Sequence, residues 1–225
     1  MESARKILFK NNWITEKEFE NLLANKKILR CINECTSPNK TLIFNALKDL
    51  EPQNVKVIII GQDPYPDKTQ KAFADGMAFS CKDNKYCPAS LKRIFTEIKK
   101  EYNTEEFKSC SLINWKKQGV LLLNSALTYS PNMKINERIK IWKPFVTKII
   151  EKVINSKKTM VVMLWGKIAQ DTFNGISFNN HTLILKSSHP QARKKYNTFN
   201  NSNLFRICND FLKEQNEKQI QWWKT

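Results

Sequence analysis

Three side chains able to do chemistry, a carboxylate at Asp63, a carboxamide at Asn124 and an imidazole at His189, each stand just after a short apolar run. A carboxylate in such a place can orient and deprotonate a water molecule and can stabilise positive charge developing nearby. A carboxamide carries an acceptor and a donor together, so it can recognise one pattern of hydrogen-bonding groups and mismatch the reverse. An imidazole can hold a hydrogen bond to negative charge that builds on a leaving group. The chain has one other histidine, His181, which opens the last apolar run at the end opposite His189 and is expected to be structural. Taken singly, Asp before Pro64 and Asn after a strand are ordinary turn residues. It is their recurrence after separate runs that points to a site.

The elements that must position these groups are four apolar runs, residues 55–60 (VKVIII), 120–123 (VLLL), 160–164 (MVVML) and 183–185 (LIL), each reading as a buried strand. Gly61-Gln62-Asp63 follows the first, Asn124-Ser125 the second, Trp165-Gly166-Lys167 the third and Ser187-Ser188-His189 the last. In an open parallel sheet the carboxyl ends of the strands share one edge, where ligand sites form. Between the runs, residues 90–102 place Leu91, Ile94, Phe95 and Ile98 on one helical face behind a capping Ser90, and residues 137–154 do the same with Ile141, Phe145, Ile149 and Val153. Residues 167–173 and 203–214 are shorter helical segments, and residues 15–47 read as helical packing. The expected fold is therefore α/β, a central, mostly parallel four-stranded sheet flanked by helices. Residues 1–225 are expected to form a single domain, with 1–50 as its N-terminal helical part.

With 38 basic and 21 acidic residues the net charge is +17, spread in short pairs and one triplet, Arg193-Lys194-Lys195. A polyanion is the natural partner of such a surface, although a lysine- and asparagine-rich composition also follows from codon bias. No apolar run is long enough for a signal peptide or a bilayer span, so an intracellular, non-secreted protein without membrane association is expected. The six cysteines lack a C-x-x-C pair; they signal neither a zinc site nor a disulfide framework and read as buried or surface thiols.

Gly61-Gln62-Asp63-Pro64-Tyr65 resembles the water-activating motif of the family 1 uracil-DNA glycosylases, and Ser188-His189-Pro190 resembles the start of their DNA-intercalating motif. The resemblance continues through Asp75-Gly76-Met77-Ala78-Phe79-Ser80, Gly119 to Asn124, Leu164-Trp165-Gly166 and Ile220-Gln221-Trp222, in the family's order. It implies a monofunctional DNA N-glycosylase that flips uracil out of DNA and hydrolyses its bond to deoxyribose. On this reading Asp63 and His189 are catalytic. Gln62, Tyr65, Phe79 and Asn124 bind uracil: Phe79 stacks on the ring, Asn124 reads its edge, Tyr65 excludes the methyl group of thymine, and the Gln62 backbone N–H reaches O2. Pro88, Ser90, Gly166, Lys167, Ser188 and Arg193 face DNA, single- or double-stranded. No metal or cofactor is implied, and a monomer is expected.

The sequence departs from the family pattern in four places. Pro66 stands where a histidine is frequent, Lys167 where a serine is usual, and the stretch between Tyr65 and Phe79 is about three residues longer than commonly found. In His189-Pro190-Gln191-Ala192-Arg193, Arg193 occupies the place of the wedge leucine. This Ala-Arg arrangement resembles the poxvirus branch, whose members double as polymerase processivity subunits. A DNA-binding scaffold with a replication or repair partner, and with secondary or no glycosylase activity, is thus the alternative.

Overall fold

In the computed structural model, β1 (Val57–Gly61), β2 (Val120–Asn124), β3 (Thr159–Trp165) and β4 (His181–Ser187) form one all-parallel sheet in the order β2-β1-β3-β4. The structure describes residues 2–66, 74–82, 86–104, 107–157, 159–178 and 181–225. Every residue of β1 and β2 is buried, because helices cover both faces of the sheet, and such strands read as unbroken apolar runs. β4 lies at an edge and is partly exposed, so it contains polar residues; that is why only its centre stood out in the sequence.

The connections are α4 (Ala89–Tyr102) and α5 (Ile113–Lys116) between β1 and β2, α6 (Ile135–Ser156) between β2 and β3, and α7 (Lys167–Thr172) between β3 and β4. From β1 the chain steps outward to β2, then returns past β1 to β3. That reversal makes the junction of β1 and β3 a topological switch point, where the loops after neighbouring strands part and leave a crevice. At this edge Gly61 is in register with Asn124, and Trp165 with Ser187.

α1 (Glu2–Lys10), α2 (Glu16–Ala24) and α3 (Lys26–Asn33) precede the sheet. α2 starts with a capping box, in which Thr15 and Glu18 satisfy each other's backbone N–H groups, and Asn25 caps α3. The segment after α3 reaches the site directly: Ser37 donates its hydroxyl to the Tyr65 carbonyl at 2.7 Å and pairs with Tyr129 through the backbone. α8 (Leu204–Glu214) and the C-terminal Trp222 close the other side, with Trp115 Nε1 donating to the Trp222 carbonyl at 2.9 Å.

Two expectations are corrected. Ser90 does not cap α4; Pro88 holds that position, and Ser90 lies in the first turn with its side chain buried. Nor are all six cysteines thiols, since Cys87 and Cys110 form a disulfide with Cα atoms 5.3 Å apart. Cys81 N–H donates to the Cys110 carbonyl at 3.0 Å, so the partners meet through a tertiary contact that spacing does not encode. Cys31, Cys35, Cys81 and Cys208 stay outside any disulfide. Residues 67–73, most of the lengthened loop, lie outside the described residues. Among the described residues no helix is long and apolar enough to cross a membrane.

Candidate active site

A cavity of about 200 Å³ opens at the carboxyl edge of the sheet, and Asp63, Tyr65, Phe79, Ser90, Asn124 and His189 all line it. Asp63, Asn124 and His189 therefore meet in one place, brought there by the ends of β1, β2 and β4.

Asn124, the last residue of β2, is buried. Its side chain fits because its neighbour on β1 is Gly61: a Cβ there would come within 2.2 Å of Asn124 Oδ1 and 2.8 Å of Ala78 Cβ. The wall opposite is built by residues 75–80. Asp75 folds this turn by accepting from Met77 N–H at 3.1 Å and from the Ser80 hydroxyl at 2.6 Å, and that hydroxyl in turn accepts from Leu112 N–H. The turn holds Phe79 in the left-handed region at φ 62°, which a bulky residue seldom adopts, and so delivers its ring to the cavity. The ring is backed by Trp165, with centroids 5.3 Å apart, and lies 6.0 Å from the His189 ring.

The Tyr65 hydroxyl contacts the Phe79 carbonyl at 3.1 Å and the Ser90 hydroxyl at 2.9 Å, which locks the ring across the cavity. Burial pushes this phenol well above its ordinary pKa, so it stays protonated and able to donate.

His189 Nδ1 accepts a hydrogen bond from Gln191 N–H at 3.1 Å. Burial also holds the imidazole below its ordinary pKa, favouring the neutral ring. A neutral imidazole that accepts at Nδ1 must carry its proton on Nε2, which makes that nitrogen a donor. The backbone beside it is crowded: Gly166, at φ 94°, would place a Cβ 3.1 Å from His189 Cβ. The positive φ favours glycine there, and the close approach leaves little room for a side chain.

Asp63 keeps 16% of its side chain exposed, and each carboxylate oxygen has a partner. Oδ1 accepts from the Gln62 side-chain amide at 3.2 Å, and Oδ2 from Arg138 Nη1 at 2.8 Å. Arg138, in the first turn of α6, is 3% exposed and was not singled out from the sequence. A signal for it was present. Arg138 falls on the same stripe as Trp142, Phe145 and Ile149, and a charge on the buried face of an amphipathic helix calls for a partner.

Of the residues expected at DNA, Ser90 lines the cavity, Ser188 adjoins His189 in the chain, and Gly166 packs against His189. Pro88 is half-buried at the start of α4, Lys167 and Arg193 are exposed, and Gly166 precedes α7. The Ser188 hydroxyl accepts from Thr198 N–H at 3.0 Å and Phe199 N–H at 3.3 Å, fastening the loop that carries Arg193. Ser90 differs from the others, because its hydroxyl faces Tyr65 inside the cavity wall. His181 is exposed at the amino end of β4, remote from this edge.

The family model described as Uracil DNA glycosylase superfamily matches residues 47–213. The chain belongs to the uracil-DNA glycosylase superfamily. Within it, the uracil-DNA glycosylase of Mycoplasmopsis pulmonis (strain UAB CTIP) is 37% identical over 190 residues, 84% of each chain. That of Francisella philomiragia subsp. philomiragia is 37% identical over 210 residues, 92% of each chain. Mimivirus uracil-DNA glycosylase, a crystal structure, shares the fold with a TM-score of 0.77 at 24% identity, covering 98% of this chain and 87% of that one.

Proposed function

We propose that the chain hydrolyses the N-glycosidic bond of deoxyuridine in DNA after flipping the base, leaving an abasic site for base-excision repair. The observation that carries this reading is the convergence of Asp63, Tyr65, Phe79, Asn124 and His189 on one cavity of about 200 Å³. That volume is below the range of drug-sized pockets and suits a single extruded ring.

In this mechanism the flipped uracil stacks on Phe79, and the Asn124 amide pairs with N3–H and O4. Cytosine presents the reversed pattern and is rejected. Tyr65, locked by Ser90 and the Phe79 carbonyl, fills the space that the methyl group of thymine needs. As the bond to the sugar lengthens, negative charge gathers on the base, and His189 Nε2–H donates to O2, joined by the backbone N–H of Gln62. A neutral donor in a site shielded from water stabilises that charge without a proton having to leave first. Asp63 orients the attacking water, takes its proton and stabilises the cationic sugar.

Around the cavity, Pro88, Gly166, Lys167 and Ser188 handle the phosphates, and Ser90 contributes by holding Tyr65. Arg193 takes the place of the usual wedge; a guanidinium fills the vacated stack or binds phosphate, the arrangement resembling the poxvirus branch. The net charge of +17 supplies long-range attraction to DNA, which makes binding salt-dependent. A DNA substrate places the work inside the cell, and the chain acts as a monomer.

Release of base from oligonucleotides carrying one uracil, thymine or cytosine, in single and double strands, tests this reading. Uracil alone should be released; no release from the uracil substrate at any salt concentration overturns it. Exposed Arg193 and the high charge favour one other reading, a processivity scaffold. That one predicts a stable complex with a replication protein in pull-down from the native host.

A further inference from the structure

We propose that Arg138 is the positioning residue for Asp63, dividing the two carboxylate oxygens between two tasks. The inference rests on the glycosylase reading above and concerns the same site.

The guanidinium is tied in three directions. Nη1 donates to Asp63 Oδ2 at 2.8 Å and to the Thr128 carbonyl at 2.9 Å, and Nε donates to the Met133 carbonyl at 3.2 Å. Its Cζ lies 4.8 Å from the centre of the Tyr129 ring. One turn further along α6, Trp142 Nε1 donates to the Thr128 hydroxyl at 2.9 Å. Helix α6 thus anchors the segment that leaves Asn124, and through the same side chain it reaches across to Asp63 at the end of β1. The water-activating and base-reading residues share one rigid support, so their relative placement does not depend on the loop of residues 62–66 alone.

A carboxylate on a short side chain has one soft rotation that decides which oxygen faces the reacting water. With Oδ2 held by a planar, buried guanidinium, that rotation is restrained, and Oδ1, whose protein partner is the exposed Gln62 amide at 3.2 Å, is the oxygen left for the reacting water. The fixed cation offsets part of the carboxylate's field at the sugar, so what Arg138 supplies is orientation, the kind of gain that depends on sub-ångström placement. Arg138 touches neither base nor sugar in this scheme and acts only through Asp63.

The test is single-turnover uracil release and DNA affinity for Arg138→Gln and Arg138→Lys, each made also in an Asp63→Asn background. In the wild-type background, Arg138→Gln should lower the rate at saturating DNA on the order of 10²-fold, with affinity unchanged within about twofold. Arg138→Lys, which keeps the buried charge and one bond, should recover part of the rate. In the Asp63→Asn background neither change should lower the rate by more than about twofold, because the group they act through is gone. Should Arg138→Gln fail to fold, Arg138→Lys carries the same comparison. Full activity of the Arg138 variants overturns the proposal, as does an equal loss in both backgrounds or a loss confined to affinity. A wild type that releases no uracil removes the glycosylase reading and this one with it, whereas an active wild type with unaffected variants removes only the positioning role.

Discussion

Replacing Gly61 by alanine probes the space in which Asn124 is proposed to read the base edge. The added Cβ would stand 2.2 Å from Asn124 Oδ1 and 2.8 Å from Ala78 Cβ. A carbon and a carbonyl oxygen settle at about 3.3 Å, so one of them must retreat by roughly 1 Å. Ala78 is fixed, its N–H bonded to the Leu122 carbonyl at 3.0 Å, and β1 is paired on both sides, so the Asn124 side chain has to move. A displacement of that size in a positioning group lowers the rate on the order of 10²-fold, about 2.7 kcal/mol of transition-state stabilisation. Crowding costs about 1–3 kcal/mol of stability, which for a chain of this size lowers Tm by about 2–12 °C and leaves it folded at 25 °C. Single-turnover uracil release beside a thermal melt separates the two effects. Wild-type rate in the Gly61→Ala protein would refute the assignment of Asn124 as the reader of the base edge.

Other outcomes follow from the same geometry. Tyr65→Ala should release thymine and Asn124→Asp should release cytosine from oligonucleotides; if neither gains its new product, the pocket assignment is wrong. Glu101 is 3% exposed, and burial raises its carboxyl pKa from 4.5 to about 7, so the folded chain holds a proton that the unfolded chain gives up. Stability should therefore fall as pH rises from about 4.5 to about 7, and Glu101→Gln should gain up to ~3 kcal/mol at pH 8 relative to pH 4.5. Equal changes in Tm at the two pH values would argue against this. Cys110→Ser opens a loop spanning 23 residues, worth about 3 kcal/mol by chain entropy, and frees Cys87 close to Ser90 and Tyr65. Its melt should fall well below that of the wild type, and an unchanged melt would count against a structural role for the bridge.

The carboxyl edge of the sheet was legible because parallel strands buried on both faces leave continuous apolar runs, and each run ends where its polar residue begins. Asp63, Asn124 and His189 could be brought together by topology alone. What was not legible depends on contacts between distant segments. Ser90 looks like a cap beside its helix, and only the position of the Tyr65 hydroxyl shows why it is buried. The roles of Asp75 and Ser80 in bending the turn that strains Phe79 require the folded loop. The Cys87–Cys110 bridge depends on two loops lying side by side. Arg138 left a trace in the pattern of α6, yet its partner sits 75 residues earlier, and no local rule joins them.

Asp63 is proposed to activate water for the release of uracil from DNA. Uracil release from a single-stranded oligonucleotide with one deoxyuridine, at low salt, compares the wild type with Asp63→Asn most directly. The wild type should cleave, and the variant should lose on the order of 10²–10⁴-fold in rate while still binding the DNA. Equal rates would remove Asp63 from the chemistry; no release by either protein, with binding intact, would leave the scaffold reading in its place.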